Sequence, residues 1–245
     1  MNKILITGGR GFIGSHLCKQ INGYDVIDLK EGKDICKEKI GKYEVIINLA
    51  AVSSIPESYR DELKCFETNV FGVHHLISQA PEALFIHIST SAVHGDSPYS
   101  VTKKLSEPLV DGRGIILRPC NVFGQGALEP SVIASFANAM KSGKDVHIEG
   151  TGEQRRDFVY VGDLVNQIIH HVNNPVLGTY DVGYGKNITI NDLFKLMAAH
   201  FGYKKMPVYV DPRQGDIFEN LAKNELFGDV IGFEDGLKKT LDSYL

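Results

Sequence analysis

The chain has 245 residues, of which 43% are hydrophobic, so it can bury a sizeable core in one large domain or in one domain with a small lobe. A formal net charge of -4 gives no electrostatic basis for binding nucleic acid, and no run of about 18 apolar residues is present to span a membrane. The four cysteines contain no CxxC pair, so we expect reduced thiols, a cytoplasmic protein and no metal site.

Short apolar segments alternate with helical patterns along the first half of the chain. Residues 3–7, 25–29, 45–49, 84–88 and 114–117 are predicted strands. Residues 14–21, 61–79 and 98–110 are predicted helices. Because repeated strand–helix units form parallel sheets covered by helices, we expect an α/β fold with a doubly wound parallel sheet.

The pattern is looser after residue 118. Residues 130–140, 161–172 and 191–200 are predicted helices, the last with Asn191 as its N-cap, and residues 146–149 are a predicted strand. We interpret this later region as a small lobe at the carboxyl ends of the strands, where open parallel sheets bind their ligands.

A glycine-rich segment, TGGRGFIG at residues 7–14, joins the first predicted strand to the first predicted helix. Glycines allow a tight turn and a close approach to a pyrophosphate, and a helix N-terminus presents free N–H groups to the phosphates. Glycines also mark ordinary turns, but the strand, the helix and a following acidic residue all agree here. We therefore predict a dinucleotide site at Gly8, Gly11, Phe12, Ile13 and Gly14.

An acidic residue follows the second predicted strand. Asp28 can accept hydrogen bonds from both ribose hydroxyls of a dinucleotide and would repel a 2′-phosphate, which favours NAD over NADP. A turn or helix cap is the alternative role for this carboxylate. Arg10 leaves a second question open, because its guanidinium could bind a 2′-phosphate, contact the pyrophosphate or point into solvent.

Tyr99 and Lys103 lie four residues apart in the predicted helix 98–110, a spacing that places both side chains on one face. Tyrosine has an ordinary pKa of about 10, and a neighbouring ammonium together with an oxidised nicotinamide would stabilise its phenolate as a base. Thr90 follows the predicted strand 84–88 and could either bond the same substrate oxygen or cap a turn. We predict that Thr90, Tyr99 and Lys103 act together in catalysis.

Ordered motifs run through nearly the whole chain. They are TGGRGFIG (7–14), NLAA (48–51), ETNVFG (67–72), STSAVHG (89–95), YSVTK (99–103), RPCNVFGQG (118–126), RRDFVYVGDL (155–164) and RQGD (213–216). With these motifs the sequence resembles the extended short-chain dehydrogenase/reductase family, in its NAD-dependent nucleotide-sugar epimerase/dehydratase branch, which includes UDP-glucose 4-epimerases. The resemblance implies a Rossmann-type fold. Residues 1–121 with about 158–180 would bind NAD, and residues of about 122–157 with 181–245 would form a small substrate-binding lobe.

The same resemblance implies roles for individual residues. The catalytic residues would be Thr90, Tyr99 and Lys103, and the last two would also contact the cofactor. Further cofactor contacts would come from Asp34, Ile35, Leu49, Ala50, Ala51 and Asn69, with the first two on the adenine side. The substrate would be bound by Thr90, Asn121, Arg156 and Arg213, the last three through its diphosphate.

Physical chemistry agrees with the diphosphate role, since arginine forks suit phosphate oxygens. On the residues alone, however, Arg156 could pair with Asp157 or Asp163, and Arg213 with Asp216, on solvated surfaces. Both interpretations stay open at this point.

The chain is short for this family. Residues 28–34 leave no room for the usual helix after the second strand, and Pro108 predicts an early end for the helix that carries Tyr99. Relatives often pair this helix with the one at residues 61–79 in the four-helix bundle of a dimer. A homodimer is therefore an open question for this sequence.

The residues after Thr90 bear on the reaction type. Relatives that remove water from the sugar often carry an acidic pair there, whereas this chain has Ser91 and Ala92, which cannot serve as acid or base for loss of the sixth hydroxyl. We therefore favour C4 epimerisation of a UDP-sugar through a transient 4-keto sugar. A dehydratase with its acid elsewhere and a keto-sugar reductase are the enzymatic alternatives. A non-catalytic NAD sensor or scaffold is disfavoured, because a pure binder needs none of the three catalytic side chains.

Overall fold

The computed structural model describes residues 3–127, 131–212 and 218–245. The chain forms two compact units, one from Met1–Pro119 and Val165–Asp181, the other from Cys120–Leu164 and Val182–Leu245. The roles predicted for the two parts of the chain, NAD binding and substrate binding, stay predictions.

A six-stranded sheet with the order β2-β1-β3-β4-β5-β9 forms the centre of the first unit. Its strands are β1 (Ile4–Thr7), β2 (Tyr24–Ile27), β3 (Val45–Asn48), β4 (Leu84–Ile88), β5 (Gly114–Pro119) and β9 (Gly178–Val182). Neighbouring strands from β2 to β5 run parallel. Most residues of these strands are apolar and buried, as in sheets that are covered on both faces. The predicted α/β fold with a parallel sheet is confirmed.

The helices of the first unit largely follow the predicted pattern. They are α1 (Phe12–Leu17), α2 (Ile55–Arg60), α3 (Glu62–Phe66), a π-helical turn (Glu67–Phe71), α4 (Gly72–Gln79), α5 (Pro98–Val110) and the part of α7 (Val161–Asn173) that begins at Val165. Two 3₁₀ turns, Leu29–Glu31 and Ser91–His94, follow β2 and β4. The helix predicted for residues 61–79 is confirmed from Glu62 to Gln79, with a π-helical turn in its middle.

Pro108 lies inside α5, which ends two residues later, at Val110, the end predicted for it. The helix continues for 13 residues, to Val110, with the proline inside it. Proline removes the hydrogen bond to the carbonyl four residues earlier, here that of Lys104. Lys104 is exposed, so water can satisfy that carbonyl and the helix continues.

The second unit contains two small sheets and three further helices. One sheet has the order β10-β8-β6, from β6 (Asn121–Phe123), β8 (Arg155–Tyr160) and β10 (Asn187–Thr189), and the other pairs β7 (His147–Glu149) with β11 (Val208–Val210). The helices α6 (Val132–Lys141), α8 (Ile190–Phe201) and α9 (Phe233–Asp242) surround an aromatic core that includes Phe123, Phe158 and Phe194. In the described ranges of both units, no helix has the length and apolar character needed to cross a membrane.

The N-cap of α8 corrects one prediction. Thr189, not Asn191, is the N-cap, and its hydroxyl accepts a hydrogen bond from the backbone N–H of Asp192. Asn191 lies inside the first turn, where its side-chain amide instead donates to the carbonyl of Thr151. Both residue types cap helices, so position alone decided between them.

Strand β2 forms one edge of the large sheet. The connection from β2 to β3 contains only a 3₁₀ turn and irregular segments, as its shortness predicts. A cavity of about 350 Å³ opens along this edge and is lined in part by β2. The ammonium of Lys33 donates to the carbonyl of Val26 in β2 at 3.4 Å.

Candidate active site

The glycine-rich loop packs so closely that side chains would not fit. A Cβ on Gly8, where φ is +70°, would lie 2.7 Å from the backbone nitrogen of Ala50. A Cβ on Gly14 would lie 2.3 Å from the carbonyl oxygen of Gly8, and one on Gly11 would lie 3.2 Å from the same oxygen. A loop without side chains lets a pyrophosphate approach the backbone, so these residues fit a dinucleotide.

The start of α1 is also suited to phosphate. Gly11 is the N-cap and has no side chain to accept the first amide groups of the helix. Phe12 and Ile13 are the first two helical residues, so their N–H groups have no intrahelical partner. The structure thus places the predicted loop residues where they can bind an anion, and their role in binding NAD stays a prediction.

Asp28 follows β2 and is held against the loop. Its Oδ2 accepts from the backbone N–H of Arg10 at 2.8 Å, and its Oδ1 accepts from the backbone N–H of Lys30 at 2.9 Å. The capping role considered for this carboxylate is therefore real, yet each oxygen keeps a lone pair for a ribose hydroxyl. The Arg10 guanidinium binds Glu31 at 2.6 Å, so an adjacent carboxylate already neutralises the charge that could attract a 2′-phosphate.

The segment after β3 lies against the glycine loop. The backbone N–H of Leu49 donates to the carbonyl of Thr7 at 3.0 Å, and that of Ala50 donates to the Thr7 hydroxyl at 3.4 Å. Ala51 follows and is partly exposed. These three predicted cofactor residues are thus brought to the loop through β1.

Asn69 has a different place from the one expected for a direct cofactor contact. It lies fully buried in the π-helical turn, and its amide exchanges two hydrogen bonds with the backbone of Val52, at 2.9 and 3.0 Å. A third bond joins its Nδ2 to the hydroxyl of Thr102 in α5 at 3.0 Å. Asn69 therefore ties the loop after β3 to α5, and its assignment as a cofactor ligand stays a prediction.

Asp34 and Ile35, predicted for the adenine side, follow the short connection after β2. The Asp34 carboxylate accepts from the backbone N–H of Cys36 at 2.9 Å. Ile35 is buried in the core of the first unit, and a Cβ on Gly72 would lie 2.5 Å from its Cδ1. Most of the Ile35 side chain thus packs against α4, which leaves its backbone and Asp34 as the groups open to a ligand.

The predicted catalytic residues meet where β4 ends and α5 begins. Thr90 lies two residues beyond β4, and its hydroxyl accepts from the backbone N–H of Ala92 at 3.1 Å. Thr90 also lies near enough to the Tyr99 phenol, in the first turn of α5, to lower its pKa. One turn later Lys103 is only 3% exposed, and its ammonium donates to the carbonyl of Ile88 at 2.7 Å. Thr90 therefore caps a turn, one of the two roles considered for it, and its bond to the substrate oxygen stays a prediction.

Burial shifts the pKa values of Tyr99 and Lys103 away from their charged forms. Burial raises the pKa of Tyr99, against the opposing effect of Thr90. Burial also lowers the pKa of Lys103 to about 8, although Cys65 and Glu107 favour its charged form. At neutral pH the phenol is protonated and the ammonium is mostly charged, so the phenolate needs the additional positive charge of an oxidised nicotinamide.

Sequence reasoning missed a set of buried polar contacts that hold α5 on the sheet. Glu107 in α5 accepts from the Ser89 hydroxyl at 2.6 Å and binds the Arg118 guanidinium through both carboxylate oxygens, at 2.9 and 2.6 Å. Asn48 and His87, each inside an apolar strand, are also paired. Polar residues within otherwise apolar strands were the available signal, because buried polar groups find partners.

The second unit contains two of the predicted substrate residues. Asn121 is the first residue of β6, paired in register with Phe158 of β8. Arg156 in β8 is buried, and its Nη1 donates to the carbonyls of Arg155 and Phe218 at 2.9 and 3.2 Å. Arg213 lies outside the described residues.

Two buried aspartates organise the loops of this unit. Asp157 accepts from the backbone N–H groups of Tyr184, Gly185 and Ala222 at 3.0–3.2 Å. Asp163 accepts from the Tyr184 hydroxyl and from the backbone N–H of Ile231. Both carboxylates therefore hold the loops around them in place.

Residues 4–183 match the family described as the NAD dependent epimerase/dehydratase family. The chain belongs to this family. A Methanocaldococcus jannaschii protein described as a candidate UDP-glucose 4-epimerase is 28% identical over 301 aligned positions, which take in 98% of this chain and 97% of the relative. The dTDP-D-glucose 4,6-dehydratase of Dictyostelium discoideum is 25% identical over 80% of this chain and 61% of the relative. The solved UDP-glucose 4-epimerase of Thermotoga maritima, with UDP-glucose, superposes with a TM-score of 0.87 at 28% identity, over 99% of this chain and 98% of that one.

Membership in the NAD dependent epimerase/dehydratase family confirms the predicted family, enzyme class and cofactor. The protein is an NAD-dependent enzyme of the nucleotide-sugar epimerase/dehydratase type. Its relatives in the family include both epimerases and dehydratases, so family membership alone fits either reaction. In the described part of the chain, no group of three or more His, Cys, Asp or Glu side chains is arranged to hold a metal ion.

Proposed function

We propose that this protein is a UDP-sugar C4 epimerase. The observation that carries the proposal is the turn after β4, in which Thr90 is followed by Ser91 and Ala92. Dehydration of the sugar needs an acid to protonate the leaving hydroxyl, and neither of these side chains can supply one. Oxidation and re-reduction at C4 need only the groups that are present.

The roles of the residues follow from their chemistry. NAD, when bound at the glycine loop and Asp28, supplies the reversible oxidation of the sugar alcohol to a ketone. The Tyr99 phenolate takes the proton of the C4 hydroxyl and later returns it to the same oxygen. Thr90 orients that oxygen through a hydrogen bond. The Lys103 ammonium, fixed by the Ile88 carbonyl, lowers the energy of the phenolate.

The residues of the second unit support a nucleotide diphosphate as the anchoring group. Arg156 has two donors committed to carbonyls, which fixes its guanidinium, and a fixed fork is suited to a phosphate. We assign it, with Asn121 and Arg213, to the diphosphate. UDP is favoured because the solved Thermotoga maritima relative binds UDP-glucose.

The products decide between the reactions. Incubation with NAD⁺ and a panel of UDP-sugars should give an epimer of unchanged mass with no net NADH, as read by mass spectrometry and absorbance. Tyr99→Phe should keep NAD binding but lose turnover by about 10²–10⁴-fold. The control is Tyr43→Phe, which also removes a hydrogen-bonded phenol in the first unit and should leave turnover unchanged.

Other outcomes would point elsewhere. Loss of one water mass would identify a dehydratase, and consumption of NADH with a keto-sugar would identify a reductase. NAD binding without turnover of any nucleotide sugar would favour a sensor or scaffold.

A further inference from the structure

Three polar side chains form one row across the carboxyl ends of adjacent strands. Thr7 of β1 lies opposite Asn48 of β3, and Asn48 lies opposite His87 of β4. All three are fully buried. The residues two positions earlier in these strands, Leu5, Ile46 and Phe85, belong to the apolar core beneath α4 and α5. The row therefore continues that face and points its side chains toward α5.

The hydrogen bonds of this row continue into α5. The Thr7 hydroxyl bonds Asn48 Oδ1 at 2.5 Å, and Asn48 Nδ2 bonds His87 Nδ1 at 3.1 Å. His87 Nε2 bonds the Ser106 hydroxyl at 2.9 Å, and that hydroxyl donates to the carbonyl of Lys103 at 2.8 Å.

The donor and the acceptor of each bond follow from the carbonyl of Lys103, with which the series ends. A carbonyl only accepts, so the single hydroxyl proton of Ser106 goes to Lys103, and His87 Nε2 must donate to Ser106. In a neutral imidazole Nδ1 then accepts, which requires the amide nitrogen of Asn48 to face it and leaves the Asn48 oxygen for Thr7. Thr7 in turn accepts from the backbone N–H of Ala50.

The imidazole of His87 has to be neutral for this arrangement. Burial lowers its pKa well below the ordinary value, and the nearby Lys103 charge acts in the same direction. The facing groups are Asn48 of β3, Ser106 and Lys103 of α5 and, within β4, Phe85. Among the residues that the structure describes, no carboxylate bonds the ring. A protonated ring would lose Nδ1 as an acceptor and break the link to Asn48.

We infer that His87 is a positioning residue that transmits the placement of the glycine-loop segment to Lys103. The hydrogen-bonded path starts at the amide of Ala50, which lies against Gly8, and ends at the backbone of Lys103. The inference rests on the function proposed above, in which Lys103 acts on the Tyr99 phenolate and contacts NAD. An error of about 1 Å in such a group can lower the rate by about 100-fold.

Two substitutions separate the ends of the path. In His87→Gln the side-chain amide reaches the position of Nε2 and can still donate to Ser106. In His87→Asn it reaches only the position of Nδ1 and loses Ser106. Each variant breaks the path at one end, His87→Gln at Asn48 and His87→Asn at Ser106. We therefore expect both to lower kcat by about 10- to 100-fold and to weaken NAD binding.

A second pair of variants tests the same link without changing the strand. Ser106→Ala removes the step between His87 and Lys103. Ser78→Ala is the matched control, because the Ser78 hydroxyl also donates to the carbonyl three residues earlier in a helix, at 2.9 Å, but on exposed α4. Ser106→Ala should lower kcat and NAD affinity, and Ser78→Ala should change neither. If His87→Asn does not fold, the comparison of Ser106→Ala with Ser78→Ala still tests the link between His87 and Lys103.

Nuclear magnetic resonance of the imidazole nitrogens gives a readout that is independent of turnover. We expect the wild-type protein to show His87 with its proton on Nε2 and with a neutral ring at pH 6.5, where an ordinary histidine is half protonated. A proton on Nδ1, or kcat and NAD affinity within about threefold of the wild type in His87→Gln or in His87→Asn, would overturn the inference. So would Ser106→Ala that lowers the melting temperature but leaves kcat and NAD affinity like those of Ser78→Ala.

The two proposals can fail separately. If no UDP-sugar is turned over, the proposed epimerase activity fails, but the imidazole spectrum and the NAD affinities of the four variants still decide the role of His87. If the wild-type enzyme is active and the variants do not differ as stated, the role of His87 alone fails.

Discussion

Lys103→Met should make the folded protein more stable while it inactivates the enzyme. Methionine has a similar length and no charge, so it fills the same space without a buried ammonium. Lys103 is 3% exposed and its pKa falls to about 8, which means that folding disfavours the charged form. The substitution removes this unfavourable contribution together with the charge that the proposed mechanism assigns to Lys103.

The size of the effect follows from the pKa. A shift from 10.5 to about 8 corresponds to about 3.4 kcal/mol of destabilisation of the charged form. Methionine leaves the Ile88 carbonyl without its donor, which costs about 1–3 kcal/mol. The free energy of unfolding of Lys103→Met should therefore exceed that of the wild type by about 1–2 kcal/mol at pH 7.

The pH dependence provides a sharper test. Because the pKa is lower in the folded state, the unfolded chain binds more protons between about pH 8 and 10.5, so the wild-type protein gains stability with rising pH relative to the variant. Urea unfolding of both proteins should show their difference falling by about 1.4 kcal/mol from pH 7 to pH 9. Lys104→Met, one residue along and exposed, is the control and should show no such trend. A Lys103→Met variant that is less stable than the wild type by an amount independent of pH would refute the reasoning.

Three further predictions concern the cofactor, the substrate and assembly. Calorimetry should show that NAD⁺ binds at least about tenfold more tightly than NADP⁺. Asp28→Asn should reduce this difference in affinity. Tighter binding of NADP⁺ by the wild type would refute the role of Asp28. Arg156→Ala should weaken UDP-sugar binding by about 1.5–3 kcal/mol. The control Arg155→Ala, at an exposed position beside it, should leave binding unchanged. A lowered melting temperature of Arg156→Ala with unchanged binding would indicate a structural role for Arg156. We predict a dimer through α5, in which Leu105, 49% exposed on that helix, lies in the interface. Sedimentation should then show a dimer that Leu105→Glu dissociates, and a monomeric wild type would contradict this.

The parallel core could be predicted because its residues carry strong local signals. The apolar run at Leu84–Ile88 and the helical spacing of Pro98–Val110 were predicted with the bounds that the structure shows. Strand β8 was missed because it begins with two arginines and an aspartate, and the burial of Arg156 and Asp157 depends on partners far along the chain. Local patterns do not contain those partners.

The sequence predicts the proposed catalytic group of Thr90, Tyr99 and Lys103 because its members lie close together along the chain. The spacing of Tyr99 and Lys103 fixes their shared helix face, and Thr90 comes to the phenol because β4 ends beside α5. The contacts of Asn48 and His87 were not foreseeable, because strand register decides which residues stand opposite each other. One residue of slip would have turned these side chains to the other face of the sheet.

The short connection after β2 has a consequence for solubility. An uncovered edge strand offers its backbone to any other extended chain, and proteins guard such edges with short strands and charged side chains, lysine above all. Here β2 has four residues, Asp25 is exposed within it, and the Lys33 ammonium already occupies the Val26 carbonyl. We expect Lys33, by binding the Val26 carbonyl, to help prevent this edge from pairing with an extended segment of another chain.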